Sequence, residues 1–313
     1  MKQINFIIRI GLGLLILFIL IYNIGIKDTL SKIVSVDLFL FALILILFFI
    51  NFIIKVLNYK ILILPLKKKI KFFRLLYYTF VSWSLGLFIP GKIGEFSLVV
   101  LLKKENIPEG HGAVISLLDN LATFSLLATF SIIGFFMFFS FITTMKLILI
   151  IFFFWMLFVT FIITKKGRDL IKTYILRKYS IKFQGFSKLL FYYFKEQKSI
   201  LALNVILTFF KWWIHAFMIY LLFYAYNQNI SIFLIFLINS MLTIISLIPI
   251  SISGLGVRES IAVLIYHFIF NIDNAIILSA YLIPLIISYV TATIILLFVV
   301  GKIDLSMSSL LKK

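Results

Sequence analysis

Apolar runs long enough to cross a lipid bilayer recur along almost the whole of this chain, and no other feature narrows its fold as much. A helix needs about 20 consecutive apolar residues to cross the hydrocarbon core. Residues 4–24, 38–57, 112–139, 147–163, 200–226 and 275–300 meet that measure with little interruption. Hydrophobic residues make up 63% of the 313, and mean hydropathy is +1.18, whereas soluble domains are roughly half apolar. The expected fold is all-α: a polytopic transmembrane helical bundle with about six full spans, forming a single transmembrane domain over residues 1–313. The apolar run after Lys2 and Arg9 resembles a signal peptide, but Tyr22-Asn23-Ile24-Gly25 is no small-x-small cleavage site, so it reads as a retained first helix.

Charge sets the expected orientation. Only 13% of residues are charged, yet 30 are Lys or Arg against 11 Asp or Glu. The basic residues fall in short stretches between apolar runs, as cytoplasmic loops do under the positive-inside rule, and that reading displaces nucleic-acid binding. Lys2 and Arg9, the group from Lys55 to Arg74, Lys103 and Lys104, the group within 165–198, and Lys302, Lys312 and Lys313 are assigned to one side. Both termini are then cytoplasmic, in a plasma or inner membrane. Segment 165–198 is too polar to span but carries apolar residues at helical spacing, including Phe186, Leu189, Leu190, Tyr193 and Phe194. It reads as an interfacial amphipathic segment on the cytoplasmic face, with basic residues toward anionic lipid.

Two apolar stretches are interrupted. Residues 75–102 break at Ile89-Pro90-Gly91-Lys92-Ile93-Gly94, and residues 232–270 break from Pro249 through Gly256. Lysine-rich loops flank the first at both ends, whereas Asn227-Gln228-Asn229 and Asn271-Ile272-Asp273-Asn274 flank the second. The expectation is two broken or re-entrant helical hairpins entering from opposite sides, each with Ile-Pro, then glycine, then Glu, as in inverted repeats with a binding site at their interface. Proline removes a backbone donor and glycine admits positive φ, so each break frees polar groups that lipid cannot satisfy.

Charges within the membrane cost about 2.5 to 3.5 kcal/mol each on insertion scales, so each must meet a partner or a wet cavity. The candidates are Lys92 and Glu95 at the first break, Arg258 and Glu259 at the second, Asp119 with Asn120, and Lys211 with His215. The substrate-binding set is Lys92, Gly94, Glu95, Asp119, Gly254, Gly256, Arg258 and Glu259. Arg258 can grip a phosphate bidentately while Lys92 acts as a point charge, beside helix N-termini that favour anions. Trp83, close to the first break, is a candidate to line a lipid groove. The chain has no cysteine, and His111, His215 and His267 lie far apart, so no metal and no cofactor are expected.

Ile89-Pro90-Gly91-Lys92-Ile93-Gly94-Glu95 resembles a Pro-Gly-x-x-Gly-Glu motif, and the stretch from Pro249 through Ser251, Gly254 and Gly256 to Arg258-Glu259 resembles Pro-x-Ser-x-x-Gly-x-Gly-x-Arg-Glu. Both motifs are similar to those of the lysylphosphatidylglycerol synthase transmembrane-region family, the flippase-like domain of multiple peptide resistance factors. Phe96, Ser97 and Leu98 stand where family members usually carry an arginine, and Asn120 stands where they carry a base beside the acid. The resemblance implies lipid translocation, and the missing soluble synthase domain implies that this chain alone makes no lysyl-lipid.

The expectation is therefore a non-enzymatic carrier for a polar lipid or lipid-linked headgroup. Its expected partners are membrane lipids, anionic or polyprenyl-phosphate-linked, with a homo-oligomer and a separate lipid-modifying enzyme left open. Two other classes also stay open: a membrane-embedded transferase on a lipid-phosphate substrate with Glu95 or Asp119 as base, and a small-solute secondary transporter.

Overall fold

The computed structural model describes residues 2–89, 94–164, 166–167, 183–247 and 251–300. Among them the chain is all-helical. Helix α1 (Lys2–Ile24) turns at Gly25 into α2 (Ile26–Val34), and α3 (Leu38–Ile63) follows. The first broken pair is α4 (Phe72–Phe88) and α5 (Ser97–Lys103), after which come α6 (Glu109–Phe138) and α7 (Phe141–Ile163). Helices α8 (Phe186–Glu196) and α9 (Lys198–Ala225) lead to the second pair, α10 (Ile232–Ile245) and α11 (Val257–Phe270), and α12 (Asn274–Val300) closes the bundle.

Segments Leu38–Leu66, Glu109–Phe138, Lys198–Ala225 and Asn274–Phe298 are long and apolar enough to cross a membrane, and α1 with α2, bent by 90°, adds a fifth if the pair counts as one span. Among the described residues four to five spans thus stand, where the sequence leads to an expectation of about six. The remaining expected span, 147–163, falls in α7, many of whose side chains lie outside the described residues.

Both interrupted stretches fold back on themselves. Gly94 approaches the backbone of Leu85 and Gly86, Glu95 lies against Gly86, and Glu105 accepts from Arg74 (3.1 Å) and Tyr78 (2.8 Å). These pairings run antiparallel and bring the start of α4 to the end of α5. In the second pair Gly254 lies against Ser246, and Arg258 donates to Asn239, again antiparallel. The two turns meet: Ser253 Oγ is 3.5 Å from the carbonyl oxygens of Gly86 and Leu87. Pro90, Gly91, Lys92 and Pro249 lie outside the described residues.

Two cores hold this arrangement. The larger is built from α3, α6, α9, α10, α11 and α12 around residues such as Phe223, Phe236, Leu242 and Tyr266. The smaller gathers Leu62, Leu75, Leu102 and Ile115 with Leu190 and Tyr193 of α8. That second core also takes in part of the segment 165–198. Part of the apolar stripe of α8 docks on protein: Leu189, Leu190 and Tyr193 are buried, and the Tyr193 hydroxyl donates to the Leu62 carbonyl, while Phe194 stays exposed. The stripe fits the gap left where α3 ends and α6 begins, while Lys188 and Lys195 remain exposed. Residues 168–182 of the same segment lie outside the described residues.

Candidate functional site

The site begins with polar stripes on helices that are otherwise apolar. On α3, Asn51, Lys55 and Asn58 recur at helical spacing and share one face; on α9, Asn204, Thr208, Lys211 and His215 do the same. In hydrocarbon such stripes must face one another, because lipid offers no partner. They do. Asn58 Nδ2 donates to Thr208 Oγ1 at 3.1 Å, Asn204 Nδ2 to Asp119 Oδ1 of α6 at 3.4 Å, and Lys211 Nζ to Thr123 Oγ1 at 3.4 Å.

Between these helices lies a cavity of about 240 Å³. Lys55, Glu95, Asp119, Lys211 and Arg258 reach its wall, so residues from both interrupted stretches and from three long helices converge on one space. Phe48, Phe52 and Trp83 line the same cavity, with the Trp83 ring set edge-on to Phe52 at 4.7 Å. The cavity is therefore lined by charged and aromatic side chains together.

Glu95 enters through the first break. Its carboxylate meets Lys55 Nζ at 3.4 Å, with both side chains only slightly exposed. Glycine is required beside it at two places. A Cβ on Gly86 would lie 2.6 Å from Glu95 Cγ, and one on Gly94 would lie 2.2 Å from the Leu85 carbonyl group.

Arg258 enters through the second break. Gly254 and Gly256 take φ of 79° and 78°, the left-handed region that glycine adopts without strain. Gly256 also lies so close to α1 that a Cβ there would be 2.6 Å from Gly13 O. From this turn Arg258 Nη2 reaches His215 Nε2 at 3.0 Å and Asn239 Oδ1 at 3.4 Å. Arginine has donors only, so His215 Nε2 must be the acceptor. The Tyr281 hydroxyl donates to the same Asn239 oxygen at 3.0 Å, and the guanidinium carbon lies 5.8 Å from the centre of the Tyr281 ring. Three helices thus fix the guanidinium in place.

Glu259 points elsewhere. Its Oε2 accepts from the Gly256 N–H at 2.7 Å, capping its own helix, and the position an anion would take at the start of α11 is filled by this carboxylate. Glu259 instead lines a second, smaller cavity of about 110 Å³, whose wall also includes Ser253, Tyr281 and Tyr289. Arg258, His215, Pro284 and Ser288 belong to both cavities, so Arg258 stands where the two adjoin.

Of the residues singled out from sequence, Glu95, Asp119 and Arg258 share the larger cavity, with Lys211 and His215 beside them. Gly94, Gly254 and Gly256 shape the turns that carry two of these side chains, and Lys92 lies outside the described residues. Lys55 was missed: sequence reasoning grouped it with the cytoplasmic loop cations, whereas α3 continues to Ile63 and carries it into the cavity. The signal that finds it is its register with Asn51 and Asn58. Asn239 and Tyr281, which hold Arg258, were also missed. Each sits in an apolar helix among small hydroxyl residues, Ser240 and Thr243 near Asn239 and Ser279 near Tyr281, and no local pattern marks it as a partner of Arg258.

The family model for the lysylphosphatidylglycerol synthase TM region matches residues 6–295. The chain belongs to this family. It is a membrane domain family linked to lipid modification or flipping, and the matched region includes every residue that lines the two cavities. No curated protein matches the chain. As a lysylphosphatidylglycerol synthase TM region, the protein is a multi-pass membrane protein, and its two interrupted stretches each bring a charged side chain, Glu95 and Arg258, to the larger cavity.

Proposed function

We propose that this protein carries the polar headgroup of an anionic lipid, a phospholipid or a polyprenyl phosphate, from one leaflet to the other while the lipid tails stay in the bilayer. The observation that carries the reading is the larger cavity, whose lining gathers Lys55, Lys211 and Arg258 with Glu95, Asp119 and several aromatic rings. A phosphate crossing hydrocarbon alone loses its hydration with nothing in return. A polar cavity within the bundle substitutes charged and hydrogen-bonding groups for that water, and aromatic side chains suit the apolar part of the lipid.

The same reading takes the two interrupted stretches as inverted repeats. The meeting of their turns at Ser253, Gly86 and Leu87 supports it, since binding sites in repeat-built transporters lie where the repeats meet. We assign both termini to the cytoplasmic side of a plasma membrane, in line with the side on which the loop lysines collect.

The test is reconstitution of the purified protein in vesicles containing trace fluorescent phosphatidylglycerol or polyprenyl phosphate, with an impermeant quencher reporting the outer leaflet. The reading expects a quenchable fraction rising from half toward completeness, and loss of that activity in Arg258→Lys at unchanged folded yield. Protein-containing vesicles that behave like empty ones with every anionic lipid would refute it.

A further inference from the structure

The helix pairs around the larger cavity are not equally free to part. Asn58 and Thr208 join α3 to α9, Asn204 and Lys211 join α9 to α6 through Asp119 and Thr123, and His215 joins α9 to α11 through Arg258. Opening any of these pairs strands polar side chains in hydrocarbon. Between α3 and α4, by contrast, the described residues show aromatic ring contacts and no hydrogen bond.

Those rings lead from the cavity to the outside of the bundle. Phe52 and Trp83 line the cavity, and their rings lie 4.7 Å apart. Half-buried Phe80 touches both Phe52, at 4.3 Å, and Phe49, at 6.3 Å. Phe52 is 5% exposed, whereas Phe49 is 45% exposed on a helix long and apolar enough to cross the membrane, where an exposed side chain meets lipid. Rings that separate uncover only apolar surface, and a lipid chain covers that surface as well as another ring does. Val56 and Tyr59 of α3 share the smaller core with Leu75 and Tyr78 of α4, so the two helices stay joined while the rings move apart.

We propose that the seam between α3 and α4 is a lateral portal, in which a hydrocarbon chain of a membrane lipid lies between Phe49, Phe52, Phe80 and Trp83 and passes from the cavity to the bilayer. This rests on the lipid-carrier reading above and assigns the path of the chain, apart from the charged groups. The rings offer the chain apolar contact alone, so the portal accepts an acyl or a prenyl chain whatever headgroup it bears.

Phosphatidylglycerol with a diazirine in one acyl chain, photolysed in vesicles that hold the wild-type protein, tests the portal without any substitution. Labelled residues are located by mass spectrometry. Leu297 and Phe298 of α12 are exposed and take label from bulk lipid in any case. The portal adds label on buried Phe52, and label on Phe49, Leu297 and Phe298 with none on Phe52 or Trp83 overturns it. Phe49→Cys combined with Phe80→Cys allows the seam to be closed with a short reducible thiol cross-linker, since the chain has no cysteine of its own. Bridging should abolish the Phe52 label and reduction should restore it. Label on Phe52 that survives bridging means that the chain enters elsewhere and overturns the portal. Phe52 label that requires an open seam, in a protein that moves no lipid between leaflets, supports the portal and removes the carrier reading. Lipid transport that continues through the bridged protein overturns the portal and leaves the carrier reading standing.

Discussion

Glu95 and Lys55 give the most direct test of whether the first break is held by electrostatics or only by shape. Their charged atoms are 3.4 Å apart, with side chains 14% and 13% exposed. At an effective dielectric of about 20, Coulomb's law gives an attraction of about 5 kcal/mol at that distance. Withdrawing both charges from water offsets much of it, which leaves a coupling of about 1 to 3 kcal/mol. Glu95→Gln preserves the packing of this side chain on Gly86 while leaving the Lys55 ammonium opposite a neutral amide. We expect it to destabilise the protein by about 2 kcal/mol, with Lys55→Gln costing a similar amount. The double substitution should cost less than the two losses combined by the coupling energy. Reversible unfolding by dodecyl sulfate in mixed micelles, followed by tryptophan fluorescence, supplies the three differences. The cycle cancels the other interactions of Glu95, which the pair does not account for. A double variant whose loss equals the sum of the singles to within about 0.5 kcal/mol would refute the ion pair as the holder of this break.

Gly94→Ala should abolish the monodisperse folded peak in size-exclusion chromatography, because its Cβ would lie 2.2 Å from main-chain atoms of Leu85 that cannot yield; Gly11→Ala, with nothing within 4 Å, should leave it unchanged. Tyr193→Phe should lower stability by about 1 kcal/mol by removing the bond to the Leu62 carbonyl, and a value near zero in the same unfolding assay would mean that α8 is held by apolar packing alone. The chain has no cysteine, so Lys69→Cys and Lys188→Cys can each be labelled singly. Both should resist an impermeant maleimide applied outside intact cells, and labelling of either would reverse the assigned orientation.

The sequence by itself determined the class of fold and the places where helices stop. Long apolar runs leave the backbone no partner but itself, so helices follow from composition. Ile89-Pro90-Gly91 and the glycines around Gly254 mark the interruptions, because proline and glycine act locally through the backbone. The same local reasoning found Glu95, Asp119 and Arg258 as charges too costly to face lipid. It did not find their partners. Lys55 is separated from Glu95 by 40 positions and Arg258 from His215 by 43, and no local rule pairs residues that far apart. The tertiary structure also decided that α8 buries Leu189, Leu190 and Tyr193 against the bundle, and that Glu259 serves its own helix while its neighbour Arg258 reaches the cavity. Glu259 and Arg258 are adjacent in sequence, but a helix sends consecutive side chains about 100° apart, and only the packing of the second turn against α1 settles which of them faces the cavity.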